Sequence, residues 1–276
     1  MAYSKPGLID IGANLSHSSF SHDLEQVLAS ARQAGIEHII VTGTDLESIE
    51  AGITLAELNQ GFLSCTAGFH PHVASQFLSG GKVLQHRLTS LANHDAVVSV
   101  GETGLDFNRN YSPRSDQEDA FVQHLELASQ INKPVFLHQR DAHESFKSIL
   151  KQFRDDICDG VVHCFTDNRQ ALFDYLDLDM YIGITGWICD ERRGSELQDL
   201  VQEIPQDRLL IETDAPYLLP RTLSPKPKNR RNEPAYLPEV VRFISQCRGE
   251  SVEFIRQVTT QNARRLFQLS EQPSAS

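Results

Sequence analysis

The chain has 276 residues, 40% of them hydrophobic and 22% charged, enough apolar material for a large core, which excludes a disordered or collagen-like chain. Acidic residues outnumber basic ones by 37 to 25, for a formal charge of −12. That balance argues against holding nucleic acid or an acidic membrane through bulk positive charge.

Short β-branched runs alternate with longer amphipathic stretches. Residues 8–11 read as the first strand and 21–34 as the first helix, stopped by Gly35. The second strand covers 38–42, with its helix over 46–59, and the third covers 62–67, with a helix within 82–91. The fourth strand, 96–100, leads to a long helix over 115–132 that Asn132-Lys133-Pro134 breaks. Strands at 135–138, 160–164, 180–184 and 209–212 alternate with helices over 142–153, 168–176 and 194–204. Helices near 237–248 and 251–267 close the chain.

Eight strands with intervening helices predict one parallel α/β domain. Gly12-Ala13-Asn14-Leu15 after the first strand matches neither GxGxxG nor GxxxxGK, which disfavours a doubly wound nucleotide-binding sheet. The expected fold is a single (β/α)₈ TIM barrel over 8–269 with additional C-terminal helices. Residues 1–7 read as a short N-terminal tail and 270–276 as a disordered C-terminal tail. Cysteines at 65, 158, 164, 189 and 247 form no zinc-ribbon or CxxC pattern and read as reduced thiols. Nothing at the N-terminus resembles a signal peptide, and no run approaches the ~18 apolar residues of a membrane span. The expectation is a cytoplasmic protein with no membrane contact.

In such a barrel the chemistry lies where the strands end. His70 and His72 follow strand three, and Glu102 follows strand four in Gly101-Glu102-Thr103-Gly104-Leu105-Asp106. His138 ends strand five, with Arg140 just beyond; His163 lies in strand six, and Asp214 follows strand eight. A lone histidine at a strand end is more often a hydrogen-bonded structural residue than a ligand. Here the joint placement is the signal. Gaps of 36, 25 and 51 residues separate Glu102, His138, His163 and Asp214. They correspond to about one, one and two βα units, so neighbouring strands would bring the four groups within reach of one metal. Imidazole with carboxylate suits Zn²⁺, Mn²⁺ or Fe²⁺, whereas Mg²⁺ would lean on Glu102, Asp214 and a substrate phosphate. Glu212 reads either as a partner to this group or as an ordinary paired carboxylate, and Cys164 and Cys189 as fillers of small buried spaces.

At these residues the chain resembles the TatD family of metal-dependent deoxyribonucleases, within the amidohydrolase-like hydrolases. The resemblance runs from about residue 8 to 267 and is carried by Ala67-Gly68-Phe69-His70-Pro71-His72, the Gly101 to Asp106 motif and Pro134-Val135-Phe136-Leu137-His138. Val162-His163-Cys164-Phe165-Thr166, Ile211-Glu212-Thr213-Asp214-Ala215-Pro216-Tyr217 and Arg230-Arg231-Asn232-Glu233-Pro234 also match. Residues 181–194 look like the family's TatD branch itself. The resemblance implies metal ligands at Glu102, His138, His163 and Asp214, with His70 in the active site. Many relatives begin with an Asp-x-His-x-His element. Here Asp10 is followed by Gly12 and Asn14 in place of both histidines, so one well-held metal with a weaker second site is expected.

The expected catalytic residues are Asp214, which takes a proton from the attacking water, Glu102, and His70, which faces the phosphate or the leaving oxygen. Mg²⁺ is the expected ion in activity, with Zn²⁺ or Mn²⁺ as alternatives. Substrate contacts are expected from His72, Arg140, Tyr217, Lys226, Arg230 and Arg231. Residues 218–232 hold Arg221, Lys226, Lys228, Arg230 and Arg231 with no acidic residue, a local cationic patch suited to phosphates. Tyr217, Trp187 and Phe107 could stack on bases or serve as packing anchors. The small patch favours single strands or chain ends over a long duplex, the resemblance adds 3′→5′ exonuclease action on DNA, or RNA, in repair or turnover, and a monomer is expected. One alternative is a hydrolase of a small amide, lactone or phosphoester; Glu102 standing where several such enzymes carry a metal-bridging lysine disfavours it. Another is a non-catalytic binding protein, against which the four retained groups speak.

Overall fold

The computed structural model describes residues 7–270. The tails expected at 1–7 and 270–276 therefore lie outside the described residues, apart from Gly7 and Ser270. Eight parallel strands hydrogen-bond in sequence order: β1 (Leu8–Ala13), β2 (Ile36–Val41), β3 (Leu63–Ala67), β4 (Val97–Asp106), β5 (Val135–Arg140), β6 (Gly160–Val162), β7 (Tyr181–Ile184) and β8 (Leu209–Ile211). They form a nearly closed TIM-type barrel, as expected. The strands read as near-continuous apolar runs because helices cover their outer face and side chains fill the interior. Between them lie α1 (Leu24–Gln33), α2 (Leu46–Leu58), α3 (Ala74–Ser79), α4 (Gly81–Ala92), α5 (Arg114–Ile131), α6 (His143–Phe153), α7 (Arg169–Asp177) and α8 (Ser195–Leu200), and α9 (Leu237–Arg248) and α10 (Val252–Phe267) follow.

Ile9, Ile11, Ile40, Phe136, Val161, Tyr181 and Leu210 form the inner core, packed with Ala263, Leu266 and Phe267 of α10. That helix plugs the N-terminal mouth: Thr260 donates to the Gly7 carbonyl at 2.7 Å and Asn262 to those of Gln206 and Leu209. The opposite mouth is left for chemistry. The seam between β1 and β8 closes there, beyond the end of β8. Asp214 N–H donates to Gly12 O at 2.8 Å, and Asn14 N–H to Ala215 O at 2.7 Å.

The structure departs from the expected elements in informative places. β4 does not end at residue 100 but runs through Asp106. Gly101 and Gly104 have φ of 143° and 137°, and a Cβ on either would fall about 2 Å from the Phe136 or His138 carbonyl oxygen. Glycines that read as strand breakers are here what lets the strand pass close to β5, and Glu102 stands inside the strand. β6 and β8 stop at Val162 and Ile211, so His163 and Glu212 open the following loops. The helix expected within 82–91 is preceded by the additional short α3. Among the described residues no helix is long and apolar enough to cross a membrane.

Candidate active site

The backbone N–H of Glu102 donates to Gly43 O at 2.8 Å, which fixes its position beside β2. Three imidazoles converge on one atom of its buried carboxylate. His163 Nε2 lies 2.8 Å, His138 Nδ1 3.0 Å and His70 Nε2 3.3 Å from Glu102 Oε1. Burial alone would push this carboxyl up, but the neighbouring His163 and His70 and the hydrogen bonds of His138 and His163 hold it well below its ordinary range. Against the cost of its own burial, Glu102 and Glu212 raise His163 well above the usual imidazole value.

The remaining ring nitrogens separate the histidines by role. His70 Nδ1 accepts the His72 backbone N–H at 3.1 Å. In the neutral ring the proton is then on Nε2, which makes His70 a hydrogen-bond donor into the site. His163 uses Nδ1 to donate to Glu212 Oε2 at 3.3 Å, so release of its Nε2 proton would leave a lone pair directed at Glu102. Such a carboxylate–histidine arrangement is the one that orients metal ligands. His138 Nε2 is buried and has no hydrogen-bond partner among the described residues; Asp106 Oδ2 lies 3.7 Å away.

An orphaned imidazole nitrogen beside a carboxylate atom shared by three rings fits a divalent cation. Donor atoms of His70, Glu102 and His138 lie within 4.8 Å of one another, a buried cluster able to hold a metal ion. The proton placement on His70 makes it the weakest ligand of that trio.

Asp214 lies at the seam, where Asn14 Nδ2 donates to its Oδ1 at 3.0 Å. Burial pushes its carboxyl up to about 7, against the pull of His163. Its turn has φ of 53° and is clamped by buried Asp10, which accepts Thr213 N–H at 2.8 Å and the Thr213 hydroxyl at 2.5 Å. Glu212 is fully buried, and besides His163 it takes the Cys164 N–H at 2.6 Å. A Cβ at Gly12 or Gly183 would come within 2.5 or 2.7 Å of its oxygens. The missing side chain at position 12 is thus the space that Glu212 fills.

Asp106 is a site residue that the sequence reading missed, although it closes the quoted Gly101 to Asp106 motif. Its Oδ2 takes His72 Nε2 at 2.8 Å, and its Oδ1 takes the N–H groups of Asn108 and Arg109. His72 is thereby committed to Asp106. Cys164 and Cys189 are held as thiols, since burial pushes the first well above its ordinary value and the second to about 12.

The cationic segment divides in two. Arg231 is only 12% exposed and holds Asp23 at 2.6 Å and Glu233 at 2.8 Å, with its guanidinium over Phe20. Arg221 pairs with Glu191 at 3.0 Å. Lys226, Lys228 and Arg230 are exposed and have no acidic partner among the described residues, and the same is true of Arg140. Arg193 lies over Trp187 and Arg114 over Phe107, which makes both aromatics packing surfaces. Tyr217 alone of the three stands open, 51% exposed.

Residues 9–268 match the family model described as TatD related DNase. The chain belongs to the TatD family. The 3′-5′ ssDNA/RNA exonuclease TatD of Pectobacterium parmentieri is 49% identical over 263 residues, 95% of this chain and 100% of that protein. The protein of the same name from a Rahnella species is 50% identical over 264 residues, covering 95% and 99%. The crystal structure of a TatD homologue from Escherichia coli superposes with a TM-score of 0.85 at 29% identity, over 95% of this chain and 98% of that one. TatD family members with these names are nucleases, hydrolases of phosphodiester bonds.

Proposed function

We propose that this TatD family member is a metal-dependent 3′→5′ exonuclease that removes nucleotides from the ends of single-stranded DNA or RNA. The observation that carries the reading is the convergence of His70, His138 and His163 on Glu102 Oε1, in a chain that shares about half its sequence with relatives named as exonucleases.

Glu102, His138 and His163 would hold the ion, with Asp214 as the fourth ligand. When bound, a divalent ion there supplies a Lewis acid for a phosphoryl oxygen and a water acidic enough to lose its proton near neutrality. Mg²⁺ is our assignment for turnover, since two carboxylates and a substrate phosphate supply the oxygens it prefers, with Mn²⁺ and Zn²⁺ tested beside it.

Asp214 takes the proton of the attacking water as its oxygen bonds to phosphorus. The bond from phosphorus to O3′ of the preceding nucleotide breaks, and that oxygen leaves as a hydroxyl with a proton from solvent. His70 donates its Nε2 hydrogen to a phosphate oxygen and so orients the group. Arg140, Lys226 and Arg230 contact phosphates further along the strand, and Tyr217 stacks on a base. Arg231 leaves this set because Asp23 and Glu233 already occupy it. Apart from Tyr217 at the site, the exposed large apolar side chains among the described residues, Leu58, Val83, Tyr111 and Phe173, lie on separate elements, which supports a monomer, and the described cysteines are all free, which supports a reducing compartment such as the cytoplasm.

The test is a metal-reconstituted assay on 5′-labelled single- and double-stranded oligonucleotides, with chelator controls and an amide and lactone panel. Stepwise shortening from the 3′ end that chelation abolishes supports the reading. Release from the 5′ end, or turnover of an amide or lactone alone, overturns it.

A further inference from the structure

A cleft of about 250 Å³ opens beside the metal-ligand cluster, lined by Asn14, His17, Thr44, Asp45, Glu47 and Tyr217 among others. It adjoins the site through its walls. Asn14 holds Asp214 Oδ1 at 3.0 Å, Tyr217 N–H donates to Asp214 O at 2.9 Å, and Thr44 O accepts the His70 N–H at 2.9 Å. The cleft is therefore the neighbouring space for one end of a molecule that reacts between Asp214 and His70.

Three features limit what fits. The volume lies below the roughly 300–1,000 Å³ of pockets for drug-sized ligands, so it suits one nucleoside. One wall is aromatic, with the exposed Tyr217 ring set edge-on to His17 at 5.8 Å. The lining holds two carboxylates and no lysine or arginine. Asp45 caps α2 with one oxygen, Oδ1, which accepts Ser48 N–H at 2.8 Å, so that helix end offers little to an anion while Oδ2 stays available. Glu47 in the same first turn has no cationic partner among the described residues.

We propose that this cleft receives the 3′-terminal nucleoside and that Asp45 and Glu47 make it specific for a free 3′-hydroxyl over a 3′-phosphate. The inference rests on the exonuclease reading above. The terminal nucleoside carries no charge beyond its scissile phosphate, whereas a 3′-phosphate brings about −1.5 to −2 more against two carboxylates. The sugar hydroxyl can donate to either carboxylate; a phosphate monoester is repelled.

The experiment compares kcat/KM on single-stranded oligonucleotides ending in 3′-hydroxyl or 3′-phosphate, at low and high salt, for the native enzyme, Glu47→Gln and Glu47→Lys. The expected preference for the hydroxyl end is about tenfold or more at low salt and shrinks as salt screens the repulsion. It should fall stepwise in the Gln and Lys variants. A second arm uses chelator-treated protein and ligand-observed NMR. Thymidine should bind, thymidine 3′-phosphate should bind more weakly, and Tyr217→Ala should weaken thymidine. Equal use of both ends by the native enzyme, or an unchanged ratio in folded Glu47→Lys, overturns the subsite. If no oligonucleotide is shortened with any metal, it is the exonuclease reading that fails.

Discussion

His124 Nε2 accepts the backbone N–H of Phe69 at 3.0 Å, one residue before His70. The same ring donates through Nδ1 to Ala120 O at 2.7 Å, so α5 holds the stem of the loop that carries His70 through a neutral imidazole. Burial pushes His124 down to about 4, with only the bond to Ala120 opposing.

This depressed value sets a stability prediction. Between pH 6.5 and about 4 the unfolded chain binds a proton that the folded ring refuses. The contribution of His124 is therefore complete above its unfolded value and is lost as pH falls through that window, on the order of 3 kcal/mol in all. Urea unfolding at pH 7.5, 5.5 and 4.5 should show a shallower pH slope for His124→Gln than for the native chain. Identical slopes would count against the assignment.

The divided cationic segment predicts two different phenotypes. Arg231→Ala strips Asp23 and Glu233 of their partner and should destabilise the fold by about 2 kcal/mol, read as a lower melting temperature. Replacing Lys226, Lys228 and Arg230 with Ala should leave the melting temperature near native. It should raise KM on oligonucleotides and flatten its salt dependence. The reverse pattern would mean the roles are exchanged.

Glu212 touches His163 through the nitrogen that faces away from Glu102. Glu212→Gln should lower affinity for a divalent ion by about 10–100-fold, measured by calorimetric titration of the metal-free protein. A native-like affinity would reduce Glu212 to a packing residue.

Metal binding itself should stabilise the native chain by about 2.7 kcal/mol at one hundred times its dissociation constant. In Glu102→Gln that increment in melting temperature should disappear together with hydrolysis. Asp214→Asn, which keeps an oxygen for Asn14, should lose hydrolysis while unfolding within a few degrees of native. Turnover retained in both variants would remove these residues from the mechanism.

The barrel and the meeting of Glu102, His138 and His163 were legible in the sequence for a physical reason. Parallel strands covered on both sides are mostly apolar, so polar side chains within or just beyond them stand out. Local patterning reports burial, but not which distant groups meet. It could not show β4 passing through Gly101 and Gly104, because their freedom of φ reads as a break until the neighbouring Phe136 and His138 carbonyls are in place. Nor could it separate Arg231 from Lys226 and Arg230, since only folding brings Asp23 beside the first.

Glu212 shows the same division. Its type and its place next to Asp214 are written in the chain. Its role depends on Gly12 and Gly183 leaving the volume in which its carboxylate can reach His163. The sequence by itself determined the set of chemical groups and the βα units that carry them. The tertiary structure decided which of those groups are neutralised by partners, which are left without one, and so which remain for substrate and metal.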